Sequence, residues 1–218
     1  MAKKIYPESG VELNPFISKN YDSIINIGSF GLYKGIIRKA IAEMQIQPGD
    51  TILDLGCGTG RNALLMRNYT GKKGKIIGMD ISEAMQKQFL RKFLGDGNVR
   101  FINQRIDMAF DLGQKFDKVL ISFVIHGFPH EVRSIVIKNA YNHLKPGGSF
   151  FILDFAEFDM DTMPFHHRWV FKAFECQYAF DFIKRDWKNI LSEAGFSSFT
   201  EHFHIKRYLR LLEANRNG

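Results

Sequence analysis

The sequence predicts an α/β fold: a doubly wound, mostly parallel sheet of seven strands with an antiparallel edge strand and a small inserted cap. Three observations carry this expectation. Short apolar runs alternate with helical stretches between residues 51 and 155, and the runs are hydrophobic on both faces, as strands covered by helices on both sides must be. A glycine-rich loop follows the first of these runs and opens a helix. Near the C-terminus two further runs, joined by a short connection, read as an antiparallel pair at one edge.

The elements follow in order. Residues 14–24 and 32–46 read as helices separated by the stretch from Gly28 to Gly31, and Gln47-Pro48-Gly49-Asp50 is a turn. Thr51–Leu55 is the first strand, and a helix runs from about Arg61 to Tyr69. Lys75–Asp80 is the second strand, after which Ser82 caps a helix that reaches about Leu94, with Glu83 in its first turn. Val99–Asn103 and Lys118–Phe123 are the third and fourth strands. A helix over His130–Leu144 ends at Lys145-Pro146-Gly147-Gly148, and Ser149–Phe155 is the fifth strand. Residues 156–182 break the rhythm and read as an inserted cap; a helix near Arg185–Ala194 and strands at Ser197–His204 and Arg207–Glu213 follow.

A chain of 218 residues without repeats or linkers suits one domain, 1–218, in which residues 1–46 supply N-terminal helices and 156–182 the cap. With 45% apolar and 24% charged residues it belongs to neither the disordered nor the disulfide-stapled classes. The two cysteines, Cys57 and Cys176, make no disulfide framework and suit a reducing compartment. The first residues lack the apolar core of a signal peptide, and no run approaches the ~18 apolar residues of a membrane span. A soluble, cytoplasmic monomer or homodimer is expected. The net charge of +7 reads as a solvated basic surface that also suits peripheral contact with anionic lipid. Of the 21 phenylalanines, 12 lie between Phe150 and Phe203, a density that serves either simple packing or a cavity for a flat, greasy ligand.

The chemistry concentrates in LDLGCGTG (Leu53–Gly60). Glycines at 56, 58 and 60 allow positive φ and let backbone approach a ligand closely, and the helix start behind them offers free N–H groups. Asp80 ends the second strand about 20 residues further on, where a carboxylate accepts from ribose hydroxyls in nucleotide-binding sheets. The loop is not the G-x-G-x-x-G of a pyrophosphate site, and Asp54 just ahead of it would repel a pyrophosphate while favouring an ammonium or sulfonium group.

With GMDIS (Gly78–Ser82), the Ile106-Asp107 pair, FDKVLISFVIH (Phe116–His126) and LKPGG (Leu144–Gly148) in the same order and spacing, the stretch from Ile52 to Phe155 resembles the class I S-adenosylmethionine-dependent methyltransferases, whose sheet is Rossmann-like. The resemblance implies S-adenosylmethionine as cofactor and S-adenosylhomocysteine as product. It implies that Asp54 and the loop of Gly56, Cys57, Gly58 and Gly60 flank the methionine part. Asp80 would hold the ribose, Ile81 would lie on the adenine face, and Ile106 and Asp107 would meet the ring edge and its amino group. Ser122 and Phe123 would sit under the amino group and the methyl-bearing sulfur. Asp80 and Asp107 also admit the plainer reading of caps or loop carboxylates, and Cys57 that of a small packing residue.

Tyr21-Asp22 followed by Ser29-Phe30-Gly31 resembles the ubiquinone/menaquinone biosynthesis C-methyltransferase family, in which Tyr21 would close over the cofactor; otherwise it is an ordinary helix tyrosine. Three positions differ from that family's pattern: its Asn is displaced to Asn26, its Trp is absent near Ile36, and its Arg-Asn pair is replaced by His126-Gly127. The implied reaction is methyl transfer to a small hydrophobic or aromatic acceptor, with C-methylation of a quinone-like ring as the sharpest version. The alternatives are N- or O-methylation of another small metabolite, or methylation of RNA. Nucleic acid is not the expected partner, because ISFVIH lacks the Asn/Asp-Pro-Pro-Tyr/Phe motif and no RNA-binding domain is appended.

His126 is the candidate general base, since an imidazole titrates near neutrality; the alternative is a structural histidine at a strand end. Phe165, Trp169, Phe171, Phe174 and Tyr178 are candidates for stacking on an acceptor, with His166, His167 and Arg168 for polar contacts, unless the cap merely packs on the sheet. No metal site is expected. Gly127 and Pro129 deny His126 and His130 a common helix face, and the adjacent His166 and His167 should point apart.

Overall fold

A computed structural model describes Tyr6, Ser9 and residues 32–218, with the side chains of Leu32, Val170 and Phe174 excepted. The expected helix over 14–24 and the Tyr21 and Ser29-Phe30-Gly31 positions lie outside the described residues. The first described helix, α1, spans Leu32–Glu43 and leads into β1 (Thr51–Leu55), α2 (Arg61–Thr70), β2 (Lys75–Asp80), α3 (Glu83–Lys92) and β3 (Val99–Asn103). β4 (Phe116–Ser122), α4 (His130–His143) and β5 (Leu144–Phe155) complete the alternating part. The inserted segment holds α5 (Phe165–Phe174) and α6 (Gln177–Phe182), followed by α7 (Trp187–Glu193), β6 (Phe196–His204) and β7 (Leu209–Arg216).

The seven strands lie in the order β3-β2-β1-β4-β5-β7-β6. β1 to β5 pair in parallel, and β7 runs antiparallel to both β5 and β6. The hairpin forms the edge as expected, with β7 inside and β6 outermost. The winding direction reverses between β1 and β4, so their carboxyl ends open the crevice in which such sheets bind ligands.

Alternation along each strand divides the core into two layers. Leu53, Leu55, Ile77, Met79, Val119 and Ile121 face α4, α6 and α7; Ile52, Ile76, Leu120, Phe151 and Leu153 face α1, α2 and α3. Ser82 caps α3 as its sequence indicated, its Oγ accepting from Met85 N at 3.3 Å. β5 begins at Leu144, earlier than read, because Lys145-Pro146-Gly147-Gly148 stays within the strand and the register shifts around it. The inserted segment is more ordered than its composition suggested. Phe171, Ala179 and Phe182 are buried in the layer of α4, while Phe165 and Trp169 on α5 stand 83% and 68% exposed.

Candidate active site

The crevice is built first by the loop after β1. Gly56 and Cys57 N–H groups both donate to the Met79 carbonyl of β2, at 2.8 and 3.0 Å, which folds the loop back over the neighbouring strand. Gly58 N donates to Asp80 Oδ2 at 2.9 Å, and Ser82 N donates to the other Asp80 oxygen at 2.9 Å. Gly56, Gly58 and Gly60 take φ of 70°, 52° and 79°, the left-handed region a side chain disfavours. A methyl group on Gly60 would stand 2.6 Å from the Phe89 ring, whereas one on Gly58 would meet nothing within 4 Å. The loop is therefore closed against the core and open at Gly58 towards the crevice.

Asp54 lies beneath this loop on a central strand, fully buried, and neither carboxylate oxygen finds a hydrogen-bond partner among the described residues. Burial, reinforced by the Asp80 charge, pushes its pKa up to about 7. An orphaned buried carboxylate beside an open glycine fits a cationic ligand group and would not tolerate a phosphate. Burial also pushes Asp80 up, against the N–H groups of Ser82 and Gly58 that favour its charge. The Cys57 thiol, buried and beside Asp54 and Asp80, is pushed well above its ordinary value, as suits a packing residue and not a nucleophile.

On the adenine side predicted from sequence, Ile81 is 42% exposed and free to meet a flat ring. The Ile106 carbonyl accepts from Asn139 Nδ2 at 3.0 Å, and the same amide reaches the Met108 carbonyl at 2.8 Å, so α4 fixes this loop. Asp107 is already engaged: Tyr6 donates its hydroxyl at 2.7 Å, and Arg105 grips both oxygens, with Nε at 3.0 Å. Burial raises the Asp107 pKa, but Arg105 and Tyr6 outweigh it and hold the carboxyl below its usual range. Tyr6 and Arg105 carry no motif; only the fold brings a residue 101 positions away onto Asp107.

At the end of β4, Ser122 Oγ is buried without a partner among the described residues, and Phe123 takes φ of 53°. A left-handed non-glycine residue costs about 1–2 kcal/mol. Here it is held by the Phe123 N–H donating to Leu153 O at 2.9 Å and by the Tyr33 ring of α1 at 5.4 Å. Arg61 stands over Tyr33 in turn, 5.1 Å from its ring centre, so α1 and α2 brace this wall together.

His126 lies in a 3-10 turn, Ile125–Gly127, directly after that wall. Its Nδ1 is 2.8 Å from Asp154 Oδ1 at the end of β5, and its Nε2 is 3.7 Å from Glu175 Oε2 at the end of α5. Burial disfavours the imidazolium, yet the two carboxylates outweigh burial and the opposing Arg133, raising the His126 pKa. Arg133, on the buried face of α4, donates to the Ile125 and His126 carbonyls at 3.2 and 3.1 Å, to the Tyr178 carbonyl at 2.6 Å and to Asp181 at 2.7 Å. It thus ties the His126 turn to α6.

The residues expected to contact an acceptor divide. Tyr178 is half-buried near His126 through its carbonyl, whereas Phe165, His166 and Trp169 face outward. Phe171 packs instead among Phe155, Phe158 and Phe180, with ring centres 5.1 to 5.6 Å away. His166 and His167 were expected to point apart, but their rings approach to 4.4 Å. His167 also lies within 3.4 Å of the Tyr208 hydroxyl, and neighbouring side chains in a first helical turn can lean together. No group of three or more metal-ligating side chains occurs among the described residues. A separate cleft of about 770 Å³ between the inserted segment and the β6–β7 hairpin has charged walls, including Glu157, Glu201 and Arg210, and touches none of the glycine-loop residues.

A doubly wound sheet with this strand order, a glycine loop over an unpartnered carboxylate and an acidic end to β2 defines the class I methyltransferase fold. The chain belongs to the ubiE/COQ5 methyltransferase family, which it matches over residues 11–199. It is 35% identical over 133 residues to the demethylmenaquinone methyltransferase of Staphylococcus carnosus, covering 61% of this chain and 54% of that one. It is 30% identical over 156 residues to the ubiquinone/menaquinone biosynthesis C-methyltransferase UbiE of Xanthomonas campestris pv. campestris, covering 66% and 58%. The chain thus spans just over half the length of these curated relatives. In fold it is similar to a SAM dependent methyltransferase from Aquifex aeolicus, with a TM-score of 0.65 at 19% identity over 94% of this chain and 99% of that one.

Proposed function

We propose that the protein is an S-adenosylmethionine-dependent methyltransferase acting on a small hydrophobic aromatic acceptor, with C-methylation of a quinone-like ring as its reaction. The observation that carries this reading is Asp54, buried and unpartnered among the described residues below the open Gly58, in a chain of this family. When bound, the cofactor supplies an electrophilic methyl group on a cationic sulfur. Asp54 would neutralise positive charge on the methionine part, and Asp80 would receive the ribose hydroxyls beside Gly58. Ile81 would cover the adenine, and Asp107 would face its amino group once Tyr6 yields that position. Ser122 and Phe123 would form the wall towards the acceptor.

The protein's share of catalysis is alignment in a site poor in water, together with removal of the acceptor's proton. His126 is the base in this reading, with Nδ1 held by Asp154 and Nε2 turned towards the inserted segment. Residues 156–182 act as the acceptor-side lid, with Tyr178 on the side of the base and His166, His167, Phe165 and Trp169 towards the entrance. The relatives' names point to demethylmenaquinone-like rings as acceptors.

No described helix is long and apolar enough to cross a membrane. The proposed location is the cytoplasm, with transient docking on anionic lipid through Phe165 and Trp169 while a greasy acceptor is collected.

Incubating the protein with methyl-labelled cofactor and a lipid-soluble extract, then identifying the labelled product by mass, tests the proposal. Label on the ring carbon of a quinone-like lipid supports it; label confined to polar metabolites or RNA overturns it.

A further inference from the structure

Two carboxylates meet the ring of His126 from opposite sides and from different parts of the fold. Asp154, the last residue but one of β5, is 1% exposed. Its Oδ1 lies 2.8 Å from His126 Nδ1 and also accepts from its own neighbour Phe155 N at 2.8 Å; its Oδ2 accepts from His126 N at 3.4 Å. A carboxylate so placed cannot move without breaking the turn that carries the histidine. Because an ionised carboxylate only accepts, Nδ1 must carry the proton and Nε2 is left as the basic nitrogen. Glu175 caps the C-terminal end of α5, its N–H bonded to Phe171 O at 3.0 Å, and its side chain is 25% exposed. At 3.7 Å from Nε2 it stands too far for a hydrogen bond in this arrangement and close enough to form one after a small shift of the segment.

We propose that Asp154 and Glu175 are positioning residues that act through His126: Asp154 fixes the tautomer that leaves Nε2 basic, and Glu175, carried by the inserted segment, receives the proton from Nε2 and passes it to solvent. The inference rests on the reading of the protein as a methyltransferase whose acceptor must lose a proton.

The proton balance is simple. Methyl transfer from a cationic donor to a neutral acceptor releases one proton per turnover. The acceptor's O–H bond breaks with its electron pair left on oxygen, and an N–H bond forms at Nε2; once the ring carbon has taken the methyl group, its C–H bond breaks with the pair returned to the ring, and that proton restores the O–H bond. That N–H bond then breaks as an O–H bond forms at Glu175 Oε2, and water removes the proton from the exposed edge of the carboxyl group.

Burial pushes the Glu175 carboxyl up, as Asp154 does, while His126 pulls it down. The charged groups facing His126 are Asp154 from β5, Glu175 from the end of α5 and Arg133 from α4, and Arg133 is itself paired with Asp181 of α6. The rings of Phe155 and Phe182 lie 5.1 and 6.4 Å from the imidazole, and the His126 side chain keeps 15% exposure. Glu175 is the carboxylate on the Nε2 side of the ring. A merely structural pair would not need one carboxylate on a rigid strand end and the other on the segment that covers the acceptor.

The test combines imidazole NMR of the full chain, labelled with 15N-histidine, with kcat measured as a function of pH. His126 is assigned from the signal lost in His126→Gln. In the wild type at high pH, His126 should show the tautomer protonated at Nδ1, and Asp154→Asn should convert it to one protonated at Nε2, with kcat lower by about a hundredfold or more. Glu175→Gln should move the His126 titration to lower pH, because a charge that favours imidazolium is gone. The acidic limb of kcat should move in the same direction, while kcat falls about tenfold and KM stays within about twofold.

A wild-type tautomer protonated at Nε2, or a His126 titration unchanged by Glu175→Gln, overturns the proposal. If Asp154→Asn does not fold, Glu175→Gln on the half-exposed segment still decides it. A wild type that methylates no quinone-like ring refutes the assigned reaction, whereas the NMR titration, which needs no acceptor, judges the clamp separately.

Discussion

Asp54 concentrates the conflict between stability and binding at a single side chain. Its folded pKa of about 7 stands above the ordinary 3.8, so the ligand-free protein loses stability as pH rises from about 4 to about 7 and regains none above that. The difference corresponds to roughly 4 kcal/mol at pH 8, and Asp54→Asn should therefore raise the urea midpoint of the ligand-free protein at pH 8 but not at pH 4. Binding has the opposite sign. A cationic group selects the ionised form, so cofactor affinity should be full above pH 7 and should fall as pH drops below it. Calorimetry should find this dependence abolished in Asp54→Asn and the affinity at pH 8 weakened about tenfold to a hundredfold. The places of Asp54, Gly56, Gly58 and Asp80 were legible because they depend on chain neighbours and on a spacing fixed by one strand–helix–strand unit. Tyr6, Asp154 and Glu175 were not, since each meets a partner far away in the chain that only the fold brings close.

At the scale of elements, α4 carries the coupling between the His126 turn and the inserted segment. Arg133 follows the apolar stripe of Val136, Ile137 and Ala140, a position where a charge needs buried partners, and it finds three carbonyls and Asp181. Replacing it with methionine keeps the stem but strands those carbonyls. Arg133→Met should lower unfolding stability by about 3 kcal/mol and make the amides of residues 175–182 exchange faster, as hydrogen exchange would reveal. The glycine loop depends on its neighbours in a similar way. A methyl group on Gly78 of β2 would lie 2.7 Å from both Cys57 Sγ and the Phe89 ring. Gly78→Ala should therefore lift the loop, cost about 1–3 kcal/mol in a denaturant titration and weaken cofactor binding with it. The sequence signalled α5 and α6 only as a break in rhythm, because short helices with aromatics on several faces have no single periodicity to read.

For the whole molecule, exposed aromatic residues and cations come together where α5 meets the chain before β7, at the His167–Tyr208 contact. Phe165 and Trp169, one helical turn apart, project from α5, and Ile205, Lys206 and Arg207 form a turn whose three residues all take left-handed φ, at 41°, 51° and 71°. Holding a β-branched residue in that region is costly, and here it leaves Ile205 45% exposed beside two cations. The protein should float with anionic vesicles at about 50 mM salt and release from them at about 300 mM. Phe165→Ser with Trp169→Ser should reduce flotation several-fold and leave cofactor affinity unchanged, while equal flotation with neutral vesicles would remove the electrostatic part of this account.

The amino-acid sequence by itself determined the doubly wound sheet, the glycine loop, the two acidic residues that flank it and the phenylalanine-rich segment, because each is written in local periodicity or short spacing. The tertiary structure decided that β7 lies inside β6, that Phe171, Ala179 and Phe182 of the inserted segment are core, and that Asp107 is shared by Tyr6 and Arg105. It also decided that His126 stands between Asp154 and Glu175. These depend on which distant residues the sheet and its two helical layers bring within a few ångströms of one another, and no local pattern encodes such contacts.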